Sequence, residues 1–173
     1  MSGMRIILFS IMLVLNLNQG CTKNILKEVS LAISKEQLKE DLRKKGEDYY
    51  HTIRTKLIEL DSLDIFQNSD TLFFLETYEY ETGTFYGKIW STKAKINYTY
   101  KQGTFNFGES GVFSDFTCEL LEKWDIKTIR KEEMQNSTMT SPFFIYGTRA
   151  IIKDEAIKVD CIGFKEFFSL EKK

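Results

Sequence analysis

Near residue 70 the spacing of apolar side chains changes, and that change limits this chain to a helix-then-sheet architecture. Upstream, Leu38, Leu42, Tyr49, Ile53, Leu57 and Leu60 mostly keep one helical face. Lys39, Glu40, Arg43, Lys44, Glu47, Asp48 and Arg54 fall opposite. Downstream the period is two. In Thr71–Tyr80, Leu72, Phe74, Tyr78 and Tyr80 alternate with Phe73, Leu75 and Thr77. Glu81-Thr82-Gly83 turns the chain into Thr84–Trp90, and these two segments are expected to pair as a hairpin. Ala94, Ile96, Tyr98 and Tyr100 then alternate with Lys95, Asn97, Thr99 and Lys101, which predicts one buried and one wet face. Gln102-Gly103 leads into a fourth strand over Thr104–Gly108. Four strands joined by tight turns make an antiparallel meander.

Ser34-Lys35-Glu36-Gln37 has the form of a capping box, so the first helix is expected to start at Ser34. Gly46 interrupts it and marks either a kink or a break into a helix pair; a continuous helix to Asp61 would be ~42 Å long. After the meander, Ser114-Asp115 can cap a second helix carrying Phe116, Leu120, Leu121 and Trp124. Trp124–Ile129 reads equally as helix or strand, and Met134–Pro142 as a polar loop. Phe143–Lys153, a turn at Asp154-Glu155, and Ala156–Gly163 form a last hairpin, with Phe164, Phe167 and Phe168 closing the core. The whole is α+β: an N-terminal helix or helix pair on an antiparallel sheet of about six strands, with a second helix inserted before the final hairpin. The order resembles cystatin-type and NTF2-type scaffolds, a likeness of fold that carries no function.

With 173 residues, 42% of them hydrophobic, there is material for one packed domain rather than two. The 24 basic and 25 acidic residues nearly cancel, which removes the electrostatic case for a nucleic-acid partner. The single histidine, His51, excludes multi-histidine metal sites. No Gly-rich phosphate loop, EF-hand or dinucleotide fingerprint occurs, so no cofactor or metal is expected.

The first twenty residues stand apart. Arg5 is their one charge, and Ile6–Leu15 is apolar apart from Ser10, a run suited to the core of a secretory signal and short for a membrane span. Asn18-Gln19-Gly20-Cys21 follows. This segment resembles the signal of a bacterial lipoprotein precursor, in which a small residue precedes an obligatory cysteine. The resemblance implies cleavage before Cys21, acylation of its sulfur, and a mature protein held to a membrane of the bacterial envelope. Each buried CH₂ of the lipid contributes ~0.8 kcal/mol, so two or three chains anchor stably. The organisation that follows is a signal over residues 1–20, a tether over 21–33 and a domain over 34–173. In the tether, Ile25, Leu26, Val29 and Ile33 keep helical spacing, which suits a segment that docks.

Export leaves Cys118 and Cys161 as an even pair. They either bridge, closing a loop of about forty residues for ~3–4 kcal/mol, or sit apart as buried thiols. His51 is a conceivable general base, but no motif announces a nucleophile for it. Glu76, Glu79 and Glu81 cluster at the first hairpin: carboxylates among aromatics can serve as a hydrolase acid and base, or form an ordinary solvated strand end. Tyr86, Lys88 and Trp90 share one strand face and are the expected binding patch if that face is open. The expectation is therefore a membrane-anchored binding module for a protein or glycan, an immunity or inhibitor role included, with an exported hydrolase as the alternative.

Overall fold

The computed structural model describes residues 25–37, 47–66, 68–108, 112–135, 144–154 and 156–165. Cys21 and the signal, residues 38–46 with Leu38, Leu42 and Gly46, the segment after Gln135 expected to be a loop, and Phe167 and Phe168 lie outside the described residues. Helix α1 covers residues 25–37 and α2 covers Glu47–Ile58, followed by a 3-10 turn at Asp61–Phe66. The strands are β1 (Thr71–Glu79), β2 (Thr84–Trp90), β3 (Lys95–Lys101) and β4 (Thr104–Phe107). Helices α3 (Asp115–Glu122) and α4 (Ile126–Gln135) precede β5 (Phe144–Lys153) and β6 (Ala156–Lys165). The fold is α+β, with one open antiparallel sheet in the order β4-β3-β2-β1-β5-β6.

The expected meander is present, and the final hairpin joins it at β1 rather than at β4. Strand β1 thus becomes central, which is why its burial is nearly continuous. Alternation divides the side chains between two cores. Leu72, Phe74, Phe85, Ile89, Tyr98 and Ala150 face α1 and α2. Phe73, Leu75, Trp90, Ile145, Ile162 and Phe164 face α3 and α4. Helices therefore cover both faces of the sheet.

Two expectations at the N-terminus are corrected. The segment read as a tether is already helical from residue 25, and its Val29 and Ile33 are core residues. Ser34 is accordingly not a cap but an interior helical residue, with its hydroxyl 3.1 Å from Nδ1 of His51. In one continuous helix Ser34 and His51 would stand ~25 Å apart, so α1 and α2 are a pair of helices lying against each other. Downstream, the ambiguous Trp124–Ile129 segment splits. Helix α3 ends at Glu122 and α4 begins at Ile126.

Trp124 makes that split. Its amide donates to Leu121 O at 3.0 Å, while the Asp125 amide reaches Leu120 O at 2.9 Å. This is a Schellman ending with Trp124 in the left-handed position, at φ 50°, where glycine is the usual residue. A non-glycine residue there costs ~1–2 kcal/mol. Two real glycines serve close approach. A Cβ on Gly87 would lie 2.0 Å from Cζ of Tyr98, and one on Gly147 would lie 2.8 Å from Cδ2 of Leu121.

Candidate functional site

The expected binding patch is covered. Tyr86, Lys88 and Trp90 do share a face, but α3 lies on it, leaving Lys88 5% and Trp90 4% exposed. Lys88 Nζ donates to Sγ of Cys118 at 2.9 Å, and Trp90 Nε1 donates to Oε1 of Glu122 at 2.8 Å. These bonds hold the helix down, so the patch is part of the helix–sheet interface.

The cysteines are also resolved into one of the two alternatives. Cys118 packs in the core under α3, whereas Cys161 packs on the opposite face of the sheet beside Thr148. With the sheet between them they are free thiols, not a bridge. Burial raises both thiols, pushing Cys161 up to about 12, and Lys88 only partly offsets this at Cys118.

The carboxylates do not converge. Glu76 points into the core beneath α2, while strand parity puts Glu79 on the other face, where it accepts from Thr82 and from Tyr86 OH. Glu76 is fully buried and pairs with Arg54, itself 1% exposed. Arg54, placed by periodicity on the polar face of its helix, is thus at the centre of the core. Its guanidinium also donates to Ser34 Oγ at 3.0 Å and Gln37 Oε1 at 3.3 Å. Burial raises the Glu76 carboxyl above the ordinary carboxylate range, and the guanidinium opposes the shift. Gln37 Nε2, Arg54 Nε, Glu76 Oε1 and Tyr98 OH are buried without a partner among the described residues. His51 bonds to Ser34 at the edge of this cluster. That contact resembles a nucleophile and its base, but Ser34 is buried and its hydroxyl also accepts from Arg54. The neighbouring cavity, bounded by Ser30, Arg54 and Phe74, is about 10 Å³, the room of a single water. The cluster clamps two helices to the sheet, with no space for a substrate.

Space exists at the open side of β6. A cleft of about 280 Å³ is lined by Glu36 of α1, by Trp124, Ile126 and Arg130, and by Asp160 to Gly163 of β6. This is just below the ~300–1,000 Å³ typical of ligand clefts. Its wall is built. The Arg149 guanidinium stacks 4.6 Å from the Trp124 ring centre and donates to Oδ2 of Asp160 at 2.7 Å. Arg130 donates to Gly163 O at 2.9 Å and pairs with Glu133. No motif in the sequence marks these residues as a site. Leu120, Leu121 and Trp124 looked like one helical face, and only the unlikely residue at a helix end distinguishes Trp124. Among the described residues no cluster of His, Cys, Asp and Glu could hold a metal ion, and no helix is long and apolar enough to cross a membrane. No protein-family model, curated protein or solved structure matches this chain, so the cleft is judged on its own chemistry.

Proposed function

We propose that this protein is a lipid-anchored module of the bacterial envelope, acylated at Cys21, that binds a protein or glycan partner in the cleft beside β6. The observation that carries the binding half is Trp124. A bulky side chain is kept in a left-handed backbone position that glycine would occupy without strain, and its ring walls the cleft of about 280 Å³ beside β6. The stacked Arg149 and its bond to Asp160 keep that wall rigid before any partner arrives, which lowers the entropic cost of binding. The anchor rests on Gly20-Cys21 behind the apolar run. A membrane-held protein presents such a cleft at high local concentration to other surface components. The hydrolase alternative loses its support with Glu76 and Glu79 on opposite faces.

Mass spectrometry of the mature N-terminus tests the anchor. A diacylglyceryl-modified Cys21 is expected, and Cys21→Ser should leave the membrane fraction; a retained Met1 or an unmodified Gln19 would refute it. The binding half is tested by photocrosslinking from the exposed position 158, beside the cleft, in living cells. An adduct that disappears in Trp124→Ala is expected, and an adduct indifferent to that change overturns the cleft.

A further inference from the structure

The two edges of the sheet are protected unequally. Strand β4 has 4 residues, too short to offer much of a template, whereas β6 has 10. Which backbone groups of β6 face outward follows from its turn. Lys153 pairs with Ala156 across a two-residue loop whose Asp154 has φ 48°. The pair flanking such a loop exchanges both ladder bonds. Alternation then turns the N–H and C=O groups of Ala156, Lys158, Asp160 and Ile162 toward β5, and those of Ile157, Val159, Cys161 and Gly163 outward. Three contacts agree with this. Gly163 O accepts from Arg130, the Lys165 amide donates to Glu133 Oε1 at 3.0 Å, and on β5 the Ile152 amide points away from β6 to Asp70 O at 2.8 Å.

Helix α4 therefore closes the C-terminal end of this edge with two side chains. Among the described residues, no hydrogen bond takes the outward groups of Ile157, Val159 or Cys161. The cleft opens at Cys161, with Glu36 on one side and Trp124 and Arg130 on the other, so the edge forms a floor between two helical layers. Alternating donors and acceptors along a strand match the backbone of another extended polypeptide, which would lie ~4.8 Å away. A second folded copy would bring the same flanking helices against these, whereas a single extended segment fits between them.

We propose that the edge of β6 from Ile157 to Cys161 accepts an extended segment of a partner protein as a seventh strand, paired through the outward groups of Val159 and Cys161. This rests on the reading that the cleft beside β6 is the binding site. The chemistry of the segment follows from strand parity. One set of its side chains lies beside Ile157, Val159 and Cys161 and is apolar. The other is polar where it lies beside Lys158, Asp160 and Arg130, and carries an apolar or aromatic group where it meets Trp124 and Ile126.

The test is selection of displayed random twelve-residue peptides on the full-length protein in detergent. Peptides of alternating apolar and polar character are expected, and Val159→Pro should weaken them at least tenfold. Proline is tolerated at that position because the lost N–H belongs to no ladder bond. If the variant does not fold, hydrogen exchange of the wild type decides: the Val159 and Cys161 amides should exchange faster than those of Lys158 and Asp160, and a selected peptide should slow them. Failure to select any peptide, or peptides that bind Val159→Pro unchanged and leave both amides fast, overturns strand addition. Self-association abolished by Val159→Pro would overturn it in favour of a second copy. Cell-wall glycan fragments binding through Trp124 in place of peptides would overturn it while preserving the cleft. Binding insensitive to both Trp124→Ala and Arg130→Ala would remove the cleft itself.

Discussion

Replacing Glu76 by leucine removes the carboxylate that faces Arg54 and leaves the guanidinium in the core, 1% exposed, with only the neutral acceptors Ser34 and Gln37. Breaking a buried pair in this way typically costs ~3–5 kcal/mol, a large fraction of the ~5–15 kcal/mol that holds a domain together. Arg54→Met is different, because the stranded carboxyl can take up a proton. Glu76 already binds its proton more tightly in the folded chain than the ordinary carboxylate value of 4.5, through burial, and Arg54 is the group that lowers it. Without Arg54 the folded value moves further up. A raised carboxyl contributes stability that is complete below the unfolded value and is lost as pH rises through the folded one. Arg54→Met should therefore regain stability as pH falls from 7 toward 5, and Glu76→Leu should show no such recovery. The double variant removes both charges and orphans only Gln37 Oε1, since Ser34 keeps His51. It should lie within ~2 kcal/mol of the parent, so the coupling energy exceeds ~2 kcal/mol. Urea midpoints at several pH values measure all of this, at ~1–3 kcal/mol per molar urea. Additive losses in the double variant, or an Arg54→Met curve parallel to that of Glu76→Leu, would refute the reasoning.

Gly87→Ala should cost ~1–3 kcal/mol by urea denaturation, since its new methyl meets the buried Tyr98 ring at 2.0 Å, and Tyr98→Leu in the same chain should recover most of that loss. Both thiols should titrate after denaturation without reductant. In the native protein Cys118, buried under α3 and raised by that burial, should resist alkylation at pH 8, and rapid labelling there would contradict its placement. Trp90 and Trp124 are the two tryptophans, so Trp124→Phe isolates Trp90, whose fluorescence should be nearly immune to acrylamide; ready quenching would mean that α3 does not cover the sheet.

The strands were legible because each buries its side chains by a local rule. Alternation in Thr71–Phe107 and in the last hairpin places all six, and the turns at Gly83, Lys93, Gly103 and Asp154 mark their ends. The helical half was less legible for an equally physical reason. Ser34 and Gln37 have the form of a cap, yet both lie well past the start of α1 and serve Arg54 on another helix. Arg54 looked solvated because periodicity sorts residues by polarity, whereas its burial depends on a carboxylate 22 positions away. A buried ion pair is a long-range agreement between segments, and a local pattern read from either segment contains only half of it.

The same logic separates the expected binding patch from the cleft. Tyr86, Lys88 and Trp90 share one strand face, since parity is local, but whether a face is open depends on which helix returns to it. The cleft depends on one further step, the order of strands. Had the last hairpin joined β4, the meander's short edge would be buried and β1 would stand at the margin. Because it joins β1, the 10-residue β6 becomes the margin, and helix α4 is placed to cap Gly163 and Lys165 but not Val159. An edge half closed by its own fold and half left open is a consequence of topology, so composition and motif could not announce it. Val159→Pro acts where that consequence can be isolated, since it alters an outward group and no bond of the ladder.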